Sequence, residues 1–125
     1  IMQIDDLADT IQRILDGYQE DLVKGINEAG REAAEECRKI LRQNSPKRFG
    51  RYARSWSVKE TPGRPGEPMR YTVYNKKYYR LTHLLEKGHA KRSGGRVPAQ
   101  VHIAPAEEVT KKKFVQDVEE VIRGN

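Results

Sequence analysis

Apolar or small residues recur at Ile4, Leu7, Ile11, Ile14, Tyr18, Leu22, Ile26, Ala29, Ala33, Cys37 and Ile40. Ten steps cover 36 positions, a mean of 3.6 per step, which is the α-helical period. The pattern predicts one helix over residues 1–43 with a single straight apolar stripe. Asp5, Asp6 and Asp9 stand where the helix dipole favours anions, and Arg38, Lys39 and Arg42 where it favours cations. Asn44, Ser45 and Pro46 supply a stop. Gly17, Gly25 and Gly30 are weak points, each costing up to about 1 kcal/mol against alanine.

The length of this helix poses a problem. Some 38 helical residues would span about 57 Å. A compact domain of 125 residues has a radius of gyration near 14 Å and a diameter of roughly 35–40 Å. Either the helix breaks at a glycine and folds back, or a neighbouring subunit covers the overhang. The second outcome is the one favoured.

The patterning then changes. Ser45 to Arg54 reads as a basic linker with a turn at Gly50. Trp56, Val58 and Glu60 alternate with Ser55, Ser57 and Lys59, and Met69, Tyr71 and Val73 alternate with Arg70, Thr72 and Tyr74, giving two strands. Between them, Thr61 to Pro68 holds three prolines and two glycines and reads as a long hairpin tip. Lys76–Lys87 is helical again, with Tyr78, Leu81 and Leu85 on one face and Gly88 as its cap. His89–Arg96 reads as a basic loop and Val101–Ile103 as a short strand. Pro105 suits the first position of a last helix whose face is Phe114, Val118 and Val121. The order α-β-β-α-β-α predicts an α+β fold: a long N-terminal helix, a small antiparallel sheet, a middle helix and a C-terminal helix. One domain over 1–125 is expected, divided into the helix 1–43, a β-rich basic body 44–105 and the last helix 106–125.

Charge sharpens this picture. Residues 1–37 carry ten acids and three bases, residues 38–105 three acids and seventeen bases, and residues 106–125 five acids and four bases. An acidic arm on a basic body suits subunits that steer one another into register. The lone Cys37 allows no internal disulfide, and no apolar run approaches the roughly 20 residues that cross a membrane.

Candidate chemistry is thin. His83, His89, His102 and Glu86 could form a metal site, but no HxxxH, HExxH or CxxC spacing supports one. Glu86 with Gly88 and His89 reads as a helix end. Ser93-Gly94-Gly95-Arg96 lacks the phosphate-loop pattern and reads as a tight turn. Arg64, Lys91, Arg92 and Arg96 remain candidates for contact with DNA or a neighbour. Tyr71, Tyr74, Tyr78 and Tyr79 lie among basic residues and fit a protein interface better than stacked bases.

Several short segments in order carry a resemblance: Ser45-Pro46, Gly50 and Ser55-Trp56; then Leu84-Leu85-Glu86 with Gly88-His89; then Gly94 to Pro98; then His102-Ile103 with Pro105-Ala106. This set resembles the tail-component proteins of siphophages, the gene-product-ten-like group also described as neck or tail-completion proteins. Arg48-Phe49 departs from the group, which often carries an acid and a threonine there. The resemblance implies a non-enzymatic virion protein of a phage or prophage, without cofactor or metal. It implies a neck, tail-completion or tail-terminator role in a homo-oligomeric ring that DNA passes through, assembled in the host cytoplasm. Head–tail connector and tail-tube proteins would be its partners, and no membrane is involved. The residues' own pattern suggests a self-association surface of Ile11, Tyr18, Leu22 and Ile26, received by Trp56, Tyr71 and Val73 or backed by them as core. The rival readings are a nucleic-acid-binding module built on the basic centre and a small metalloenzyme.

Overall fold

The computed structural model describes residues 4–47 and 50–124, with side chains from Ala8 onward. The stripe becomes one unbroken helix, α1 (Ile4–Asn44). At about 1.5 Å per residue, its 41 residues span about 61 Å. The side chains of Ile4, Asp5, Asp6 and Leu7, and the residues Arg48 and Phe49, lie outside the described residues.

A five-residue helix, α2 (Gly50–Arg54), follows where a linker and turn were expected. Tyr52 is the reason: its ring is driven into the core, which winds this basic stretch into a turn of helix. β1 (Trp56–Thr61) and β2 (Arg70–Asn75) pair antiparallel, with Trp56 opposite Asn75, Val58 opposite Val73 and Glu60 opposite Tyr71. This hairpin is the expected small sheet. Its outward positions, Lys59, Thr61, Arg70, Thr72 and Tyr74, are exposed.

The middle helix, α3 (Tyr79–Lys87), starts three residues later than the pattern predicts. The Asn75 side-chain oxygen accepts the Tyr78 N–H at 2.9 Å, and this turn takes residues 76–78 out of the helix. The expected basic loop is a minimal hairpin in which β3 (His89–Ala90) pairs with β4 (Arg96–Val97). The expected turn lies at its tip, where Gly94 and Gly95 both have positive φ. The strand expected at Val101–Ile103 does not form. Ile103 instead opens the last helix, α4 (Ile103–Arg123), and Pro105 is its third residue rather than its first. A carboxylate described below holds those amides in helical geometry, which removes them from any strand. Gly124 closes α4 in the left-handed conformation, as the Arg123-Gly124 end suggests.

The architecture is α+β. α1 is the spine, α4 packs along one side of its C-terminal half, and the β1–β2 hairpin packs along the other. The core lies at the C-terminal end of α1, where Cys37, Leu41, Tyr52, Trp56 and Ala106 are buried together. Further up the helix, among the described residues, only alanines, Ala29, Ala33 and Ala34, are buried. The glycines of α1 are not equivalent. A Cβ on Gly25 would stand 2.6 Å from Val121 Cγ1, and one on Gly30 would stand 2.9 Å from the Tyr71 ring. Two of the apparent weak points are therefore where α4 and β2 close in on the spine. A Cβ on Gly17 meets nothing within 4 Å.

Opposite effects on stability are expected at the two kinds of glycine. Gly17→Ala should stabilise by about 0.5–1 kcal/mol through helix propensity. Gly25→Ala should destabilise by about 1–2 kcal/mol, because overpacking against Val121 outweighs that gain. Urea melts of both variants read the difference, and equal stabilisation would contradict close packing of α4 at Gly25.

Candidate functional site

Two regions stand out, a buried polar hub and an open apolar cleft. The hub forms where α1 ends. The Ser45 hydroxyl donates to the Leu41 carbonyl and accepts the Trp56 indole N–H at 2.8 Å. Trp56 packs edge-on to Tyr52 and to His102, with ring centroids 5.6 Å apart in the first pair and 6.3 Å in the second. The Asn75 amide donates to the Tyr52 carbonyl at 2.9 Å. The Arg42 guanidinium donates to the carbonyls of Arg54 and Trp56, so this cation ties α1 to α2 and β1.

His102 closes the network. Its Nδ1 lies 2.7 Å from the Gln100 carbonyl, which only accepts, so Nδ1 carries hydrogen. In the neutral ring, Nε2 then accepts the Tyr52 hydroxyl at 2.8 Å. Burial, with the Glu86 charge nearby, raises the Tyr52 hydroxyl well above the ordinary tyrosine range. Glu86 reaches across from α3 to the start of α4. Its carboxylate accepts the backbone N–H groups of His102, Ile103 and Ala104 at 2.8, 2.9 and 3.0 Å. Burial alone would raise its carboxyl. The three amides outweigh that effect, and its pKa is lowered. Glu86 is thus more than a residue near its own helix end. It caps the positive end of another helix, fastening α4 to α3.

The cleft lies between the hairpin and α4, over α1. It encloses about 690 Å³. Its floor is Ile26, Gly30, Ala33, Ala34 and Cys37; Met69, Tyr71 and Val73 form one wall, and Ile103, Lys111 and Phe114 are on the other. Beyond the cleft, towards the N-terminus, α1 has an uncovered apolar row. Ile11, Ile14, Leu15 and Tyr18 are 50%, 66%, 56% and 59% exposed.

A family model described as "Bacteriophage HK97-gp10, putative tail-component" matches residues 5–88. The chain belongs to this phage tail-component family. No curated protein and no solved structure matches it. Membership supports a structural part of a phage tail, a place in the virion and a non-enzymatic role. The match takes in α1, α2, the β1–β2 hairpin and α3. The Gly94–Pro98 and His102–Ala106 segments, which also carry the resemblance, lie beyond it.

Some of the residues that carry the resemblance meet at the hub, while Leu84, Gly94 and Gly95 are exposed away from it. Ser45, Trp56, Glu86, His102 and the fully buried Ala106 share one network or its packing. The residues expected to associate divide. Ile11 and Tyr18 are exposed, Leu22 and Ile26 are half-buried, and Tyr71 and Val73 are half-buried on the cleft wall. Trp56 is only 3% exposed and belongs to the core, where it also lines the base of the cleft. Arg64 sits at the β1–β2 tip, and Lys91, Arg92 and Arg96 sit on the β3–β4 hairpin, all exposed.

The three histidines have separate environments. His83 is exposed, His89 is half-buried in β3, and both ring nitrogens of His102 are engaged. Among the described residues no group of three or more His, Cys, Asp or Glu side chains is placed to hold a metal ion. No helix of the described residues is long and apolar enough to cross a membrane. Sequence reasoning missed a basic hollow of about 410 Å³ lined by Arg51, Arg54, Lys76 and Lys77 with Ser55 and Ser57. Its cations come from two segments separated in sequence, which the β1–β2 pairing, the Asn75 amide bond to the Tyr52 carbonyl and the Lys76 N–H bond to the Ser55 carbonyl bring together.

Loss of the Glu86 cap tests the hub. Glu86→Gln should cost about 1–3 kcal/mol, the scale of hydrogen bonds to a charged group. Because the folded carboxyl titrates below its unfolded value, its contribution is full above the ordinary carboxylate range and fades as pH falls through the lowered value. The stability difference between wild type and Glu86→Gln should therefore be largest near neutrality and shrink below about pH 4. A pH-independent difference in chemical denaturation would assign Glu86 no charged role.

Proposed function

We propose that this chain is a ring-forming subunit of the phage head–tail junction, acting in the neck, in tail completion or as a tail terminator. The observation that carries this reading is the exposed row Ile11, Ile14, Leu15 and Tyr18 on a helix that extends past its own domain. Four large apolar side chains at one helical face, left in water, form a surface that another polypeptide would cover. Family membership supplies the setting, a phage tail. The acidic arm and the basic body favour contact between unlike faces of successive copies, and such contacts generate rings when the rotation closes. Head–tail connector and tail-tube proteins are the partners this role entails.

A second reading has its own observation. The hollow of Arg51, Arg54, Lys76 and Lys77 concentrates four cations around two serine hydroxyls, a surface suited to backbone phosphates. In a ring that conducts DNA it would give sequence-blind contact, joined by Lys91, Arg92 and Arg96 on the other hairpin.

Electron microscopy and light scattering of concentrated protein test the first reading. Closed rings are expected, and Leu22→Asp, which puts a charge at the edge of the apolar row, should suppress them. A strict monomer, alone and with its tail partners, would refute it. Mobility shifts test the second. Weak binding at about 50 mM salt should fall steeply with added salt and be reduced by Arg51→Glu with Lys76→Glu. No shift at low salt would dismiss DNA contact.

A further inference from the structure

Resting on the ring reading, we propose that the exposed row of α1 in one copy seats in the cleft between the β1–β2 hairpin and α4 of the next. The row has the spacing of a groove-bound helix: Ile11, Ile14, Leu15 and Tyr18 are positions i, i+3, i+4 and i+7. The cleft has the matching character. Its walls carry the half-buried Tyr71, Val73, Ile103 and Phe114; the small residues beneath, Ala33, Ala34 and Cys37, are already buried by the chain itself, so the walls and the half-buried Ile26 are the surface an incoming helix would meet.

The occupant cannot be the same chain's own row. The floor of the cleft is the C-terminal half of α1, and the row lies on the N-terminal half of the same unbroken helix. Leu15 and Ala33 are 18 residues apart on that rod, about 27 Å along its axis. No bend at Gly17, Gly25 or Gly30 turns one onto the other. A row that seats in the cleft therefore comes from another molecule, and a second copy supplies a helix of the right pattern.

Charge favours the same partner. Residues 4–24 carry six acids and two bases, against seventeen bases and three acids in residues 38–105. Lys111 and Glu107 both stand on the cleft's α4 wall, so the attraction acts between the acidic arm and the basic body as a whole and not through one wall residue. Row and cleft are different surfaces, so the contact is head-to-tail and not two-fold. Each subunit offers one row and one cleft, and the series continues until it closes.

Site-directed crosslinking tests the contact. In a Cys37→Ala background, one variant carries Leu15→Cys and a second carries Lys111→Cys. Both positions are exposed, and circular dichroism checks that the fold is kept. With a short bis-maleimide, the mixture should give a product of twice the subunit mass, and the double variant should give a ladder. Either single variant alone, and Arg13→Cys on the opposite face of α1 mixed with Lys111→Cys, should give at least tenfold less. Strong self-crosslinking of Leu15→Cys alone would overturn the proposal in favour of a two-fold contact. Rings in the microscope without the mixed product would overturn this contact and leave the ring standing. The absence of both would overturn the two together.

Discussion

The fold depends on the continuity of α1. Its C-terminal half is sheltered on both flanks, and its N-terminal half is not, because α4 has 21 residues and the spine has 41. Helices of that length curve gently and do not fold over without a defined break. The hairpin and α4 both pack on α1, which leaves a trough between them. The apolar row at one end and the open cleft at the other both follow from using one helix as a spine.

The hub explains why the trough keeps its shape. Buried polar groups are costly unless paired, and here they are paired across α1, α2, β1, α3 and the start of α4. Glu86 anchors the end of α4 where it meets α3, and close contact at Gly25 sets its far end against α1. The Asn75 amide fastens β2 to α2. The two walls are therefore positioned from behind, with little need to touch each other. A groove held open in this way presents its half-buried apolar walls without the collapse that a looser core would permit.

Elements whose signal is local were readable in sequence. The 3.6-residue period gave α1 within a residue of its end, and alternation gave both hairpin strands within a residue. What could not be read depends on contacts between distant segments. Nothing within Gly50–Arg54 announces a helix; Tyr52 makes one by entering a core whose members come from α1, from Trp56 and from the start of α4, with His102 50 positions away. The false strand at Val101–Ile103 had the right alternation but no partner edge, and Glu86, sixteen residues earlier, claimed its amides. Gly25 and Gly30 looked like flaws because helix propensity counts only the residue itself, whereas their value lies in what packs against them. Of the candidate surface, the exposed row was legible as surplus stripe. The cleft was partly legible, since Tyr71, Val73 and the deeply buried Trp56 all line it.

The energetics of the proposed contact bear on how assembly would proceed. Fully burying a large apolar side chain contributes about 1.5–3 kcal/mol. The four row residues are already one-third to one-half covered, so sealing the rest recovers about 1–2 kcal/mol each, roughly 4–8 in all. Bringing two free proteins together costs about 4–15 kcal/mol in lost motion. One row in one cleft therefore lies near break-even and would leave dilute copies largely separate. Closure changes that balance, because the last contact of a ring forms between parts already held together and incurs no second loss of free motion. Copies already gathered on another tail component gain the same advantage. A subunit with this surface would stay dispersed until a template or a high local concentration assembles it. That behaviour suits a part that must join a tail at one place and not polymerise beforehand.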